Sequence, residues 1–361
     1  MIVFCHLLND NSGSPVVLRT VINTLSEVVG DCQLFIGSRG RGCLEHVDVP
    51  IRRYWYRRSR VRLVTLITFL VSQIALYRAL SRAKVPVNAT IYVNTLLPFG
   101  GALWGYFNNR RVVYHAHEVS ISPAPLRWLL LKIAQMTADR VFYVSNDQHE
   151  RLPIKGVKPV ILPNPVATEI ADRGAASPYA IQRTGAFEAL MVCNPRDYKG
   201  VPELVQLARR FTGSNSVHFS LVLNGDEDEV ARYLPPEKRP ANVTVFARTN
   251  NPARFYAKAD VVLNLSRVDQ WIETFGLTII EAMSFGVPVI VPPIGGPPEI
   301  VTDGKEGYLA DSRNTNYLEE LLSSMLNDPE KMIEMSQAAR LRANDFGLER
   351  FAKTIKTEVL G

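Results

Sequence analysis

Two glutamates eight residues apart, Glu273 and Glu281, flank the segment of this chain with the clearest chemical pattern. Between them, the turn Thr274-Phe275-Gly276 opens a short apolar helix that contains Glu281 and ends at Gly286. The start of a helix has unpaired backbone N–H groups and the positive end of the helix dipole, so it suits a phosphate group. Carboxylates accept hydrogen bonds from sugar hydroxyls. The segment therefore predicts a nucleotide-sugar site.

The residues after this helix form a buried strand pattern (287–291) and then a loop rich in glycine and proline. In this order, residues 273–300 resemble the donor-site signature of the retaining GT-B glycosyltransferases of family four (glycosyl transferases group 1). The family has two Glu residues separated by seven others, Phe-Gly-Leu between them, Gly-x-Pro-Val, and then Gly-Gly-x-x-Glu. The matching positions here are Glu273, Phe275-Gly276-Leu277, Glu281, Gly286-Val287-Pro288-Val289, Gly295-Gly296 and Glu299.

The length of 361 residues predicts two domains of ordinary size, and an apolar fraction of 47% predicts an ample core. Four cysteines are scattered without metal-ligand spacing, which favours free thiols in a reducing compartment. The first residues, Met1-Ile-Val-Phe, run directly into an apolar strand pattern without a basic segment before it. We therefore expect no secretory signal and a cytoplasmic protein.

The net charge of +6 is distributed unevenly along the chain. Residues 1–165 contain 20 Lys and Arg against 9 Asp and Glu, whereas the remainder contains 21 against 26. A basic first half beside a mildly acidic second half indicates an anionic partner for the first half alone. Nucleic acid and an anionic membrane surface both fit this observation.

The first half opens with an apolar strand (residues 2–8), a polar loop and a helical pattern, which is typical of an α/β domain. The loop contains Gly13 and Ser14. In the family this loop carries two glycines near the acceptor and the donor phosphates, and Ser14 replaces one of them here. The resemblance implies donor binding at both positions, although a plain strand-to-helix turn would look similar.

Two histidines, His115 and His117, lie near the end of another predicted strand (residues 110–118) and would point to the same face of it. Such a pair suits a metal, but no third ligand follows at a convincing spacing, so we expect no zinc site. Family members often carry a His followed by an acid at this strand end, lining the reacting sugar. His117 and Glu118 match that pattern, and a strand-end histidine in an ordinary hydrogen bond is the alternative.

The second half begins with a predicted strand (residues 189–193) and a loop that contains Arg196 and Lys199. The family has an Arg, four residues and Lys-Gly here, and both basic groups neutralise the diphosphate. Lys199 and Gly200 fit, but the Arg position holds Asn194, and we expect Arg196 to substitute because a guanidinium reaches far and binds phosphate bidentately. Arg248 follows a later strand and is a weaker candidate beside the nucleobase.

A basic and aromatic stretch, residues 52–62, contains six arginines interleaved with Tyr54, Trp55 and Tyr56. Arginine with Trp and Tyr is typical of a membrane interface. Bases stacked between arginines would give a similar pattern, and a solvated loop is the bland alternative. The apolar residues that follow (63–80) are interrupted by Thr, Ser and Gln and fall short of the roughly 20 apolar residues of a spanning helix. We expect a partly buried helix that dips into the bilayer surface.

The resemblance implies a GT-B fold, in which two Rossmann-like domains with parallel sheets face each other across a cleft. The expected bounds are 1–165 for an acceptor-binding domain, 166–343 for a donor-binding domain, and 344–361 for a helix that crosses back to the first. It also implies a retaining, metal-independent hexosyltransferase that uses a UDP- or GDP-sugar and no cofactor. The expected catalytic residues are Glu273, His117 and Lys199, and the expected donor-binding residues are Arg196, Lys199, Phe275, Gly276, Leu277, Thr278, Glu281, Gly13, Ser14 and Arg248.

In this interpretation Lys199 and Arg196 stabilise the departing diphosphate, whose charge grows in the transition state. Glu281 holds the ribose, Glu273 orients the transferred sugar, and front-face displacement is preferred because no nucleophile for a double displacement is apparent. The basic and aromatic face favours a lipid-linked saccharide acceptor at the inner face of the cell membrane, as in surface polysaccharide or glycolipid assembly. A soluble acceptor, a non-catalytic nucleotide-sugar sensor and a nucleic-acid-binding protein are the alternatives, and nucleic acid is disfavoured.

Overall fold

The computed structural model describes the chain except for residues 38–41, 60, 180–184 and 214–215. It divides into an N-terminal unit, Met1–Asn164 with Glu349–Gly361, and a C-terminal unit, Pro165–Leu348. In the described residues, each unit is built on one parallel sheet, of seven strands in the first and six in the second. The prediction of two Rossmann-like α/β domains is confirmed.

The inner strands of the N-terminal sheet consist almost entirely of buried residues, so they read as continuous apolar runs rather than alternating ones. Its strands are β1 (Ile2–His6), β2 (Cys32–Gly37), β3 (Ile51–Tyr54), β4 (Thr90–Asn94), β5 (Arg111–Ala116), β6 (Arg140–Tyr143) and β7 (Pro159–Ile161). Its helices are α1 (Gly13–Ser26), α2 (Arg62–Arg82), α3 (Phe99–Phe107), α4 (Ala124–Thr137) and α5 (Asn146–Arg151). The last helix of the chain, α14 (Leu348–Leu360), also packs here: Arg111 donates to the carbonyl oxygens of Glu358 and Val359.

The C-terminal unit repeats the alternation of strand and helix around its own apolar core. Its strands are β8 (Phe187–Cys193), β9 (Val217–Leu223), β10 (Val243–Phe246), β11 (Val261–Leu263), β12 (Val289–Val291) and β13 (Gly307–Leu309). Its helices are α6 (Thr168–Ala176), α7 (Val201–Arg210), α8 (Glu227–Tyr233), α9 (Ala253–Tyr256), α10 (Leu277–Ser284), α11 (Pro297–Ile300), α12 (Thr315–Asn327) and α13 (Pro329–Ala343).

Strand order places one topological switch point in each sheet. The N-terminal sheet runs β3-β2-β1-β4-β5-β6-β7, so the chain leaves β1 in one direction and β4 in the other. The C-terminal sheet runs β10-β9-β8-β11-β12-β13, so β8 and β11 are the corresponding pair. Ligands of open parallel sheets bind at the carboxyl ends of such strands, because the connecting loops diverge there and leave a crevice.

Strand β3 overlaps the basic and aromatic stretch, residues 52–62, for which the sequence predicts an exposed interface. That prediction is wrong for Tyr54, which is buried. β3 pairs with β2 at the sheet edge, which buries Tyr54 and lets its hydroxyl donate to the carbonyl oxygen of His6 at 2.8 Å. Arg53 forms an ion pair with Glu45 on the protein's own surface. Arg60 lies outside the described residues, and Trp55, which is 51% exposed, follows the strand.

Candidate functional site

The C-terminal sheet brings Lys199 and Glu273 together at its switch point. Lys199 lies in the loop between β8 and α7, and Glu273 lies in the loop between β11 and α10. Their side chains form an ion pair, with Nζ 2.6 Å from Oε2, although each is only about one-seventh exposed. Two residues that the sequence alone did not single out complete the contact. Ser266 donates its hydroxyl to the same oxygen at 3.1 Å, and Asn264 donates its side-chain amide to the carboxylate.

This arrangement keeps Glu273 ionised. Burial acts to raise the pKa of its carboxyl, but the Lys199 ammonium and the hydrogen bonds from Lys199, Ser266 and Asn264 outweigh burial, so the pKa lies below its ordinary value. The site therefore contains a fixed cation and a fixed anion at the carboxyl edge of the sheet. A diphosphate would compete with Glu273 for Lys199, whereas a sugar hydroxyl would donate to Glu273.

An aromatic ring lies against the Lys199 ammonium. The Trp271 ring stacks on Tyr198 with centroids 5.0 Å apart, and the Lys199 ammonium lies 5.1 Å from the Trp271 centroid. A cation over an indole face gains electrostatic stabilisation from the ring. The backbone N–H of Arg267 also donates to the carbonyl oxygen of Tyr198, which joins the two loops. Lys199 is thus held in place before any ligand arrives.

Glycines explain how the loop before α10 is shaped. Gly276 has φ +100° at the N-cap of the helix, a conformation that side chains with a Cβ rarely adopt. Gly295 and Gly296 pack against the Glu273 loop, since a Cβ at either position would overlap the carbonyl oxygen of Glu273 or of Thr274. The second glycine pair of the sequence pattern therefore fixes the backbone that carries Glu273.

Glu281 lies on α10 and accepts a hydrogen bond of 2.7 Å from the hydroxyl of Tyr256, at the end of α9. Burial raises the pKa of Glu281 to about 7, and the Tyr256 hydrogen bond opposes this rise. Leu277 and Thr278 form the first turn of the same helix and are partly exposed. Phe275 instead lies in the core, where it packs edge-on against Phe346 with centroids 5.7 Å apart.

The two candidate guanidinium groups, of Arg196 and Arg248, donate hydrogen bonds to residues other than Lys199 and Glu273. Arg196 donates to the carbonyl oxygen of Pro195 at 2.8 Å. Arg248 donates to Asn224 at 2.7 Å, and Asn224 donates to Asn194 at 3.0 Å. Asn194, which occupies the position where the family has an arginine, is therefore linked through Asn224 to Arg248, just after β10.

The N-terminal sheet brings Ser14 and His117 together through Asn94, the last residue of β4. The side-chain oxygen of Asn94 accepts from Nε2 of His117 at 3.1 Å, and its amide donates to the carbonyl oxygen of Ser14 at 3.2 Å. The amide also lies 3.2 Å from Nδ1 of His6, at the end of β1. Gly13 begins α1 beside Ser14. Sequence reasoning missed Asn94, whose one signal is its place at the end of an apolar strand.

This edge of the N-terminal sheet is electrically neutral at its histidines. Burial, and then the neighbouring His115 and His6, lower the pKa of His117 well below its ordinary value. Burial also lowers the pKa of His6 to about 4 and that of His115 to about 3. The Glu118 carboxylate accepts from the backbone N–H groups of Leu96 and His117, so it ties two loops together.

The same histidines bear on metal ligation. Over the described residues, no group of three or more His, Cys, Asp or Glu side chains is placed to hold a metal ion. The rings of His115 and His117 pack at a tilt of 38° with centroids 4.3 Å apart, and Nδ1 of His115 lies 2.8 Å from the hydroxyl of Tyr92. These contacts are those of hydrogen-bonded, packed side chains.

Two solved structures, one of them a glycosyltransferase, share this fold. Anabaena Alr3699/HepE, in complex with UDP and glucose, matches 100% of this chain and 99% of its own, with a TM-score of 0.77 and 18% sequence identity. WaaG, a glycosyltransferase involved in lipopolysaccharide biosynthesis, matches 100% of this chain and 100% of its own, with a TM-score of 0.74 and 13% identity. The two parallel-sheet units are therefore those of the GT-B fold.

Sequence comparison finds a family model that matches most of the C-terminal unit. Residues 181–342 match the family model described as Glycosyl transferases group 1. N-acetyl-alpha-D-glucosaminyl L-malate synthase of Bacillus anthracis is 32% identical over 41% of this chain and 38% of its own length. D-inositol 3-phosphate glycosyltransferase of Arthrobacter sp. (strain FB24) is 30% identical over 37% of this chain and 28% of its own. The chain thus spans less than half the length of these relatives, and the matched domain together with the fold supports a GT-B glycosyltransferase.

Proposed function

We propose that the protein is a glycosyltransferase that moves a hexose from a nucleoside diphosphate sugar to an acceptor hydroxyl. The observation that carries this proposal is the Lys199–Glu273 pair, which lies at the switch point of the unit that contains the matched domain. A glycine-started helix and the Glu281 carboxylate lie on the same segment. The cation and the helix start suit the diphosphate of such a ligand, and the two acids, Glu273 and Glu281, suit its sugar and its ribose.

In the proposed reaction the bond between the anomeric carbon and the diphosphate oxygen breaks while the acceptor oxygen bonds to that carbon. Negative charge grows on the diphosphate as the bond breaks, so the preplaced Lys199 ammonium stabilises the transition state more than the ground state. Glu273 accepts hydrogen bonds from the sugar and orients it. Glu281 in its ionised form accepts hydrogen bonds from the ribose hydroxyls.

The stereochemical course is part of the same proposal. We expect retention of the anomeric configuration by front-face displacement, in which the proton of the acceptor hydroxyl passes to the departing diphosphate oxygen on the same face of the sugar. Transfer without a divalent cation is expected, because Lys199 supplies a fixed positive charge. Arg196 and Arg248 are candidates for a second cation, and Gly13 and Ser14 for backbone contacts.

We further propose a lipid-linked saccharide as acceptor, bound at the edge of the N-terminal unit that contains His117, on the inner face of the cell membrane. The uneven charge of the chain supports this choice, and WaaG, which has the same fold, is involved in lipopolysaccharide biosynthesis. UDP is the nucleotide in the Anabaena structure, which favours a UDP-sugar as the first donor to test. A soluble acceptor is the second candidate, because the names of two relatives contain L-malate and D-inositol 3-phosphate.

The test is incubation of the purified protein with a panel of UDP- and GDP-sugars, with release of the nucleoside diphosphate as the readout. At least one donor should be turned over, and an extract of lipid-linked saccharides should increase the rate. Lys305→Ala is the matched control, because Lys305 precedes β13 and lies at the opposite edge of the sheet from Lys199. Wild-type turnover by Lys199→Ala, or no turnover of any donor by the native protein, would reject the proposal.

A further inference from the structure

Helix α2 presents large apolar side chains to solvent, where an ordinary surface helix presents polar ones. The side chains that it buries are Phe69, Ser72, Gln73, Leu76 and Leu80. Ser72 and Gln73 are buried, at 0% and 3% exposure. The exposed side chains recur every three to four residues along the opposite face and are large and apolar. They are Leu63, Val64, Ile67, Leu70, Val71 and Ile74, here called the α2 face, with exposures between 39% and 66%.

The orientation of α2 is fixed by specific contacts, so the exposed face is a stable feature of the fold. The side-chain oxygen of Gln73 accepts from the backbone N–H of Gly100 at 3.0 Å, and its amide donates to Ser72 at 2.9 Å. Phe69 packs edge-on against Phe99 with centroids 5.8 Å apart. A rotation of α2 that buried the apolar face would break these buried hydrogen bonds, which is costly.

Positive charge surrounds the α2 face. The sequence contains no Asp or Glu from residue 49 to residue 117. Arg57 and Arg58 are exposed and belong to a segment held against the start of the helix, where the hydroxyl of Thr68 donates to the carbonyl oxygen of Arg57 at 2.6 Å. Exposed Arg62 lies at the start of α2, and exposed Arg78 follows the α2 face.

We propose that the α2 face docks flat on an anionic lipid bilayer. The face extends about 16 Å along the helix, and its apolar side chains would enter the acyl boundary while the arginines meet anionic headgroups. Trp55, half exposed at the end of β3, is placed to lie at headgroup depth. The basic rim would repel a second copy of the same face, so charge complementarity selects a lipid surface over self-association.

By length and composition alone α2 is able to cross a membrane, since it has 21 residues and an 18-residue window of mean hydropathy 1.7. Its inner face, however, is bonded to α3 through Gln73, and 28% of that window is buried in the protein. Crossing the bilayer would require these contacts to break. The helix therefore lies along the bilayer surface, held by the unit beneath it.

Docking has a consequence for the acceptor, which rests on the proposed function. Helix α2 follows β3, so its first residues lie at the carboxyl edge of the N-terminal sheet. Tyr54, the last residue of β3, donates to His6, and His6 lies beside Asn94 and its partner His117. A bilayer against the α2 face would lie next to this edge, within reach of a lipid-linked saccharide.

The test is flotation of the full-length protein with vesicles of phosphatidylcholine alone and of phosphatidylcholine mixed with phosphatidylglycerol. The native protein should float with the mixed vesicles and remain behind with the neutral ones, and high salt should weaken binding. Ile67→Ser/Ile74→Ser and Arg57→Glu/Arg58→Glu should each lower the partition coefficient about tenfold or more. The altered side chains are exposed, so circular dichroism and thermal melting should match the native protein.

Matched controls lie in the C-terminal unit. Ile333→Ser/Leu341→Ser removes apolar side chains that are 50% and 73% exposed on α13, and Arg209→Glu/Lys258→Glu makes the same charge change on exposed residues. Both controls should float as the native protein does. Absence of vesicle binding, equal binding to neutral vesicles, or equal losses in the controls would overturn the proposal. The proposal would also be overturned if sedimentation showed that the native protein is a dimer and that Ile67→Ser/Ile74→Ser dissociates this dimer. Flotation requires no turnover, so it stands or falls independently of the proposed activity.

Discussion

The carboxyl edges of the two sheets have the same kind of topology and different electrostatics. At the switch point between β8 and β11, the C-terminal unit places an ammonium and an ionised carboxylate 2.6 Å apart. At the switch point between β1 and β4, the N-terminal unit places an asparagine amide among histidines whose pKa values burial has lowered. One edge suits a ligand with a formal charge, and the other suits neutral hydroxyl groups.

The comparison shows which properties the fold supplies and which the side chains supply. A parallel sheet with a switch point provides a crevice at the strand ends in both units. The residues that follow those strands decide the chemistry, because burial raises the cost of charge unless a partner is present. Glu273 has Lys199 as a partner and remains charged, whereas His117 has an amide and remains neutral.

The largest effect is expected from removal of the fixed cation. Lys199→Ala should reduce turnover of the nucleotide sugar by about 10² to 10³-fold, because charge on the departing diphosphate then lacks its partner. Steady-state kinetics of diphosphate release will measure this, with Lys305→Ala as the control. A loss below threefold would mean that the charged edge does not act on the leaving group.

A second substitution separates the two members of the charged pair. Glu273→Gln should lower turnover by about 10²-fold, since sugar orientation is lost. The affinity for the free nucleoside diphosphate should stay the same or increase, because Lys199 no longer has a competing partner. Kinetics combined with a binding titration distinguishes this variant from Lys199→Ala, which should lose both turnover and affinity for the nucleoside diphosphate. Parallel losses in both variants would contradict separate roles for the cation and the acid.

Donor affinity should depend on pH through Glu281. Its pKa is raised to about 7 in the free protein, and the ionised carboxylate is the better acceptor for ribose hydroxyls. Affinity should therefore rise with pH up to about 7, level off above it, and fall by at most about tenfold per pH unit below it. Titrations of native protein and Glu281→Gln will show this, and the variant should have a flat profile. An identical slope in the variant would assign the titration to another group.

The same raised pKa predicts a stability effect of opposite sign. The folded protein retains a proton on Glu281 that the unfolded chain releases near its ordinary pKa of 4.5. The contribution of Glu281 to the free energy of unfolding therefore decreases as pH rises from about 4.5 to about 7 and is constant above that. Urea unfolding at several pH values should show that Glu281→Gln gains stability relative to the native protein across this window. A difference that is independent of pH would refute the linkage.

The smallest effect is expected at the neutral edge. His117→Gln keeps a hydrogen-bonding side chain without a titratable group, so turnover should fall by about tenfold or less. The pH profile of turnover between about 6 and 8 should be unchanged, because the pKa of His117 already lies well below that range. Loss of one limb of the profile in His117→Gln would show that His117 titrates there, and the two edges would then not differ as described.

Much of the C-terminal edge was predictable from the sequence, because its chemistry is compressed into residues 273–300 and the glycines that shape its loop have steric reasons. The pairing of Lys199 with Glu273 was not predictable, because the two residues lie 74 positions apart and β8 becomes a neighbour of β11 only in the folded sheet. Asn94 and Tyr256 were missed for the same reason. Strand β3 was missed because exposed Arg52 and Arg53 hide its single buried side chain, Tyr54.

The central claim is that the charged edge binds an activated sugar through its diphosphate, and calorimetric titration tests it most directly. UDP and UMP, and then GDP and GMP, would be titrated into native protein and into Lys199→Ala. One diphosphate should bind the native protein at least about tenfold more tightly than its monophosphate, and Lys199→Ala should abolish that preference. Equal affinities for diphosphate and monophosphate in the native protein, or an unchanged preference in Lys199→Ala, would contradict the account.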